Sequence, residues 1–396
     1  MTRDQVQQDA YQAWINQNSV GTIIGGTGLG KTLVGIWACK NEWRHWKDID
    51  RTRDVKILWL TNSIRLKEVG TPEDFDKWDN KHVLEFMTME TYQSAYKWVD
   101  TKWDLVVADE GDFALTPEYS KFFDNNQYTK LMILTATSTP EKTTNYLDRL
   151  APICFTYTTQ EAQKAEILND TRITFVKFLL SEEKTIQLKG FKQSEQGMYE
   201  YLQKKVTSSW FALNSLEADP LATKKQVDYA KKQFQWAISN RKEFLYTLQS
   251  SAKIAKQLAK RRIEQGHKVV SFSKRTEQAE KIALHTYHSK NKKDSTVIED
   301  FNSGKIKGFG VVDAINRGEN LVGLDTIILE SYDSSTTSFQ QRHGRGTRLD
   351  ITELLDVYIL LPHYIANDLE APTQASVWAE AMVKEFDTSK AKTINL

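Results

Sequence analysis

At 396 residues the chain is too long for one small hydrophobic core, and its length points to two or three domains. Hydrophobic residues reach 40%, enough for packed cores, yet no apolar run approaches a bilayer span and the polar, mixed-charge start is no secretory signal, so cytoplasmic residence without membrane contact is expected. Two cysteines, Cys39 and Cys154, exclude a disulfide framework or a Cys-based zinc site, and a net charge of +1 does not by itself call for a polyanionic partner.

In chain order, a short buried strand is expected over 19–24, entering Gly25-Gly26-Thr27-Gly28-Leu29-Gly30-Lys31-Thr32, with a helix leaving over 32–40. These residues fit the phosphate-loop pattern G-x-x-x-x-G-K-S/T. Glycines let backbone N–H groups close around a triphosphate at a helix N-terminus, where the dipole favours negative charge. Lys31 would reach the β- and γ-phosphates, and the Thr32 hydroxyl would hold Mg²⁺. An ordinary Gly-rich turn could share the letters, but not strand, loop and helix in register.

Further strands are expected over 56–60, 82–87, 105–108, 131–134 and 153–157, alternating with helical stretches as in a parallel α/β sheet. Leu105-Val106-Val107-Ala108-Asp109-Glu110-Gly111-Asp112 places two carboxylates at the end of an apolar strand. A triphosphate hydrolase needs one acid near Mg²⁺ and one to polarise water, roles that suit Asp109 and Glu110 respectively. The next strand ends in two hydroxyls, Thr135 and Thr137.

From 179 to 248 helix formers dominate, notably over 195–205 and 224–248, with a turn at 214–222 containing Pro220. A basic run from Lys224 to Arg262 includes Lys231, Lys232, Arg241 and Lys242, interleaved with Tyr229, Phe234, Trp236, Phe244 and Tyr246. The expectation is that most of these aromatics pack a helical core. Its Lys/Arg face is then either simply solvated or turned towards nucleic acid. Strand–helix alternation resumes with strands expected over 269–272, 295–297, 308–312, 326–329 and 357–361. Gln340-Gln341-Arg342-His343-Gly344-Arg345-Gly346-Thr347-Arg348 follows the fourth of these. Its Arg345 and Arg348, at i and i+3, would share one helical face.

Taken together, the phosphate loop, DEGD, LTAT and the 340–348 segment resemble motifs I, II, III and VI of the superfamily-2 helicases and translocases of DExH/D type. Residues 269–274 and 310–321 resemble motifs IV and V, while Thr61-Asn62-Ser63 and 88–93 stand where motifs Ia and Ib do. The resemblance implies an α/β chain of two tandem RecA-like domains, 1–158 and 251–396, with a helical insertion over 159–250. It implies an ATP hydrolase using ATP and Mg²⁺. Its catalytic residues would be Lys31, Asp109, Glu110, Gln341, Arg345 and Arg348, and Gly318 and Asn320 would add nucleotide contacts. Nucleic acid would meet Thr61, Asn62, Thr91, Tyr92, Thr137, Ser273, Lys274, Asn316 and Arg317. Either Gln5 or Gln7 would read the adenine.

The chain departs from the DEAD-box pattern in reading TAT rather than SAT and in opening motif VI with Gln; it also lacks a P-T-R-E-L run. It is more similar to DNA translocases of the RecG-like and excision-repair branch, particularly compact phage-encoded ones. DNA is the expected partner, with RNA left open, as are replication, recombination or transcription proteins. A nucleic-acid-stimulated ATPase switch that remodels a complex without processive unwinding is the alternative.

Overall fold

The computed structural model describes residues 1–64, 66–136, 138–188, 191–288, 296–312, 321–333, 354–383 and 391–396. Two compact units emerge, the first comprising Met1–Asp170 and the second opening at Thr171.

The first unit begins with helix α1 (Arg3–Asn16), whose buried Val6, Ala10 and Trp14 fall at i, i+4 and i+8. Strand β1 (Val20–Gly25) follows, then helix α2 (Lys31–Ile49), β2 (Ile57–Thr61), β3 (Met87–Thr91), β4 (Lys102–Asp109), β5 (Gln127–Thr135) and β6 (Ile153–Tyr157). The strands are parallel throughout, in the order β3-β2-β4-β5-β1-β6. Both faces of the central strands are covered, which is why they read as unbroken apolar runs. Ile57 and Trp59 pack into the cluster containing Trp14 and Ile36, while Leu58 and Leu60 pack into the cluster containing Phe122 and Leu131. Each such fully buried side chain contributes about 1.5–3 kcal/mol. The strand expected over 82–87 is instead a 3₁₀ segment, Lys81–Phe86, that leads into β3. At the sheet edge β3 is only half-buried, so it lacks the apolar run that marks its neighbours.

The second unit contributes β7 (Thr171–Leu179), a short β8–β9 hairpin (Ile186–Leu188 and Phe191–Gln193), and then helices α3 (Glu195–Ala218), α4 (Lys224–Leu245) and α5 (Gln249–Glu264). Its sheet is completed by β10 (Val269–Ser273), β11 (Thr286–Tyr287), β12 (Gly308–Val312), β13 (Thr326–Leu329), β14 (Leu355–Ala366), β15 (Leu369–Pro372) and β16 (Lys392–Asn395). The order is β11-β12-β10-β13-β14-β7-β16, parallel except for β15, which pairs antiparallel with β14. The stretch 159–250 is therefore shared out: Thr159–Lys164 is a helix of the first unit, β7 is an inner strand of the second sheet, and α3 and α4 pair as a helical hairpin. The strand expected over 295–297 is a helix, Thr296–Asn302; buried Val297, Ile298 and Phe301 have helical spacing that a short apolar run conceals.

The aromatics of the basic run divide. Tyr246 is buried and Phe234 and Phe244 are half-buried, in line with the packing expected of most of them, whereas Tyr229 and Trp236 are exposed. Arg241 is buried too, its guanidinium donating to Gln203 at 2.6 Å and Gln374 at 3.0 Å, so it belongs to the hairpin's anchorage and not to a free basic face. The buried Glu195 carboxylate accepts from the backbone N–H of Gln249 and Ser250, capping α5 at its positive end.

Glu330, just past β13, is 4% exposed, and burial pushes its carboxyl up to about 7 against the opposing hydrogen bond from Ser331 at 2.7 Å. A carboxyl raised by folding binds its proton more tightly in the native state, so stability falls as pH rises from the ordinary value of 4.5 through about 7. Glu330→Gln should therefore match the wild type near pH 4 and exceed it at pH 8 by up to about 3 kcal/mol, read from urea midpoints. An equal difference at both pH values would show that ionisation of Glu330 is not what burial opposes.

Candidate nucleotide site

The C-terminal ends of β1, β4 and β5 form one edge of the first sheet, where open parallel sheets bind ligands. Register sets their level: Asp109 lies beside Leu134, and Leu134 beside Ile23, two residues before Gly25. One strand separates β4 from β1, so Asp109 stands roughly 10 Å across from the loop strand, at ~4.8 Å per strand. That spacing accommodates phosphates and a cation between loop and acid.

The loop leaves β1 with the Gly26 N–H donating to the Tyr157 carbonyl at 3.0 Å. Gly28 and Gly30 take φ of 95° and 82°, in the left-handed region. At Gly30 a Cβ would also come within 2.3 Å of Gln7 Nε2, so a side chain there would strain the backbone and push Gln7 off the Leu29 carbonyl. Gln7 is 5% exposed, and its Nε2 donates to the Leu29 carbonyl at 2.7 Å; Gln5 instead bonds Asp9 on the surface. Of the two candidate glutamines, Gln7 is the one the fold brings to the loop. Lys31 folds back, its Nζ donating to the Gly25 carbonyl at 2.7 Å.

Three features of the loop are suited to an anion. Gly30 caps α2 without a side chain, so no side-chain cap stands over the helix's first turn. The Thr27 hydroxyl is buried with no partner among the described residues. Lys31 supplies a charge that can swing from carbonyl oxygens to phosphate, and Thr32 stands half-buried beside it in the first turn.

At the acid strand, Asp109 is half-buried, and burial together with the adjacent Glu110 pushes its carboxyl up to about 7 while Lys31 works in the opposite direction. A carboxylate so disfavoured gains most from a nearby cation. Among the described residues no group of three His, Cys, Asp or Glu could hold a metal by itself. Glu110 adopts φ 52°, a left-handed conformation that costs a glutamate of order 1 kcal/mol or more. Gly111 behind it cannot be enlarged: a Cβ there would lie 2.3 Å from Ile133 Cγ2.

Tyr92 reaches this strand from below. It is 2% exposed, and its hydroxyl donates to the Asp109 carbonyl at 2.7 Å, pinning the peptide on which Glu110 turns. Tyr92→Phe should cost about 1 kcal/mol of stability and lower turnover by roughly five- to tenfold, with nucleotide affinity unchanged. Weaker nucleotide binding at full turnover would remove Tyr92 from the positioning of Glu110.

Of the six described residues expected to meet nucleic acid, four lie inside. Thr61, Thr91, Tyr92 and Ser273 are all under 5% exposed, so their side chains present almost no surface. Asn62 has a buried, unpartnered Nδ2 among the described residues. Lys274 is ion-paired with Asp333 at 3.0 Å. Thr137, Asn316, Arg317, Gly318, Asn320, Gln341, Arg345 and Arg348 lie outside the described residues. The Tyr92–Asp109 bond escapes sequence reasoning because its two residues are 17 apart in the chain with no shared motif.

Residues 242–350 match the family described as helicase conserved C-terminal domain. No curated protein matches the chain. Among solved structures, the fold is similar to the ATP-dependent Type ISP restriction-modification enzyme LlaBIII bound to DNA, with a TM-score of 0.59 and 15% identity over 99% of this chain. It is also similar to the Pyrococcus furiosus Hef helicase domain (0.51, 15%, 96%) and to Mycobacterium smegmatis helicase Lhr bound to ssDNA and AMP-PNP (0.53, 13%, 97%). This chain spans 31% of LlaBIII, 98% of the Hef domain and 48% of Lhr. The architecture is thus that of tandem RecA-like domains, with a helicase C-terminal domain match in the second half. No helix among the described residues is long and apolar enough to cross a membrane.

Proposed function

We propose that this protein is an ATP-dependent superfamily-2 DNA translocase or helicase that couples ATP hydrolysis to movement along nucleic acid. The observation that carries the reading is the phosphate loop and the Asp109–Glu110 pair held level at the ends of two parallel strands on either side of β5, in a chain whose second half matches a helicase domain. Loop N–H groups and Lys31 hold the phosphates. Asp109 and Thr32 hold Mg²⁺, which when bound offsets charge on the β- and γ-oxygens. Glu110 orients the attacking water and accepts its proton, beside an Asp109 whose carboxyl burial pushes up. The guanidiniums of Arg345 and Arg348 are assigned to charge developing on the γ-phosphate, and Gln341 to its water. Departures from the DEAD-box pattern support the RecG-like and excision-repair branch.

For nucleic acid, the α3–α4 hairpin offers exposed Tyr229 and Trp236 beside Lys232 and Lys231, a mixture of ring faces and cations suited to strand binding. Among the described residues Lys231 keeps only an exposed pair with Glu217 at 3.1 Å, which is worth little. Charge reversal of Lys231 and Lys232 should weaken DNA binding about tenfold at low salt and flatten its salt dependence. Unchanged affinity and slope would reduce the hairpin to a packing element. The reading as a whole is tested by ATPase and strand-displacement assays with single-stranded, duplex and forked DNA and with RNA. Stimulation plus displacement by forked DNA is expected. Stimulation without displacement on any substrate would favour the remodelling switch, and stimulation by RNA alone would overturn the DNA assignment.

A further inference from the structure

A basic pocket of about 290 Å³ lies wholly within the second unit, between the C-terminal end of α5 and the starts of β7, β14 and β16. Strand register builds its floor. Lys392 lies beside Thr174, and Thr174 beside Tyr358, while Arg172 lies beside Asp356 two residues earlier. Period-2 alternation therefore puts Arg172, Thr174, Tyr358 and Lys392 on one face of the sheet. Across from them α5 contributes Arg261 and Arg262 from its last turn.

The cations are not equally engaged. Asp356 is 4% exposed and takes a bidentate pair from Arg172 at 2.6 and 2.7 Å, plus Arg262 Nη2 at 2.6 Å. Arg262 is fully committed, its Nε donating to Thr326 and its Nη1 to Gln265. One carboxylate between two guanidiniums leaves a surplus positive charge in a concave, partly buried place, where field lines concentrate. Arg172 keeps its Nη1 edge for a further acceptor. Arg261 and Lys392 have no ion-pair partner among the described residues. Left to itself, the carbonyl end of α5 would repel an anion; the two arginines of its last turn reverse that sign.

We propose that this pocket is a second anion site, separate from the phosphate loop, that takes a phosphate-bearing nucleotide unit. Its phosphate would be held by Arg261, Lys392 and the free edge of Arg172, with its base or sugar against Tyr358 and Leu258. The volume exceeds what a lone phosphate fills, and the mixture of cations with an aromatic ring and aliphatic side chains fits a nucleotide better than a carboxylate or sulfate. Asp356 and Arg262 act as the buttress that fixes Arg172. The site does not depend on the hydrolytic reading of the first unit.

The test uses the full chain and the double charge reversal R261E/K392E, with Arg261→Lys/Lys392→Arg as the charge-conserving control. Both residues are exposed, so folding should survive and is checked by circular dichroism. Where the unit belongs to a strand, R261E/K392E should bind a single-stranded oligonucleotide about tenfold more weakly at low salt. Its log–log salt slope should fall by about 0.7, the value for one single-strand phosphate, while ATPase without nucleic acid stays at the wild-type rate. The control variant should bind as the wild type does. A second arm places the reversal on a Lys31→Ala background, which silences the phosphate loop, and titrates adenosine monophosphate by thermal shift. A shift present in Lys31→Ala and lost on reversal, with oligonucleotide binding unaltered, would support the site and assign it to a free nucleotide. No change in either arm would overturn it. An inactive ATPase with an intact effect of the reversal would sink the motor reading and leave the second site standing.

Discussion

Glu110→Gln should retain nucleotide binding and lose turnover by about a hundredfold or more. The substitution keeps the side chain's shape but removes the base, and loss of one group acting at the transition state is on this scale. The fold gives Glu110 particular exposure to such a change. Its φ of 52° is strained, the Tyr92 hydroxyl fixes the preceding carbonyl, and Gly111 leaves no room for a side chain behind it, so the backbone that aims Glu110 is held in place. Lys31→Ala should behave differently. Lys31 is the loop's own cation, and without it nucleotide affinity should fall along with turnover. Rates and nucleotide affinities measured on both variants separate the two roles. Wild-type turnover in Glu110→Gln would end the assignment of Glu110 as the base.

Arg345→Ala is expected to abolish nucleic-acid-stimulated hydrolysis, by a factor of about 10³ or more, with a smaller effect on nucleotide affinity than Lys31→Ala has. A guanidinium that meets charge only as the γ-phosphate departs stabilises the transition state more than the ground state, so its removal appears in kcat. Steady-state kinetics with saturating single-stranded DNA decides this. A change confined to the apparent affinity for ATP would make Arg345 a binding residue.

Much of the first unit could be read from its residues because its central strands are buried on both faces. Unbroken runs such as 57–60, 105–108 and 131–134 are hard to mistake, and the loop at Gly25–Thr32 carries its chemistry in its letters. Edges were less legible. β3 is half-buried and begins at Met87 after a 3₁₀ segment, so a window centred on 82–87 catches the wrong conformation. β7 was missed as a strand of the second sheet because nothing local says which sheet a strand will join; its partners β14 and β16 lie far along the chain. Arg241 looked like part of a basic face, yet two glutamines from distant segments draw it inside. The same limit applies to function. Asp109 and Glu110 were visible as an acid pair, but Tyr92 was read as a strand-contacting residue and is buried against Asp109 instead. Side chains whose role depends on a tertiary partner cannot be sorted by pattern alone.

The central claim is that hydrolysis at the phosphate loop is coupled to a nucleic acid. It is tested most directly by the steady-state ATPase rate of the wild-type chain with and without single-stranded DNA at low salt. A rate that rises by roughly tenfold or more on adding DNA, and returns to its basal value as salt displaces the strand, is the expected result. A rate indifferent to DNA and RNA at every salt concentration would contradict it.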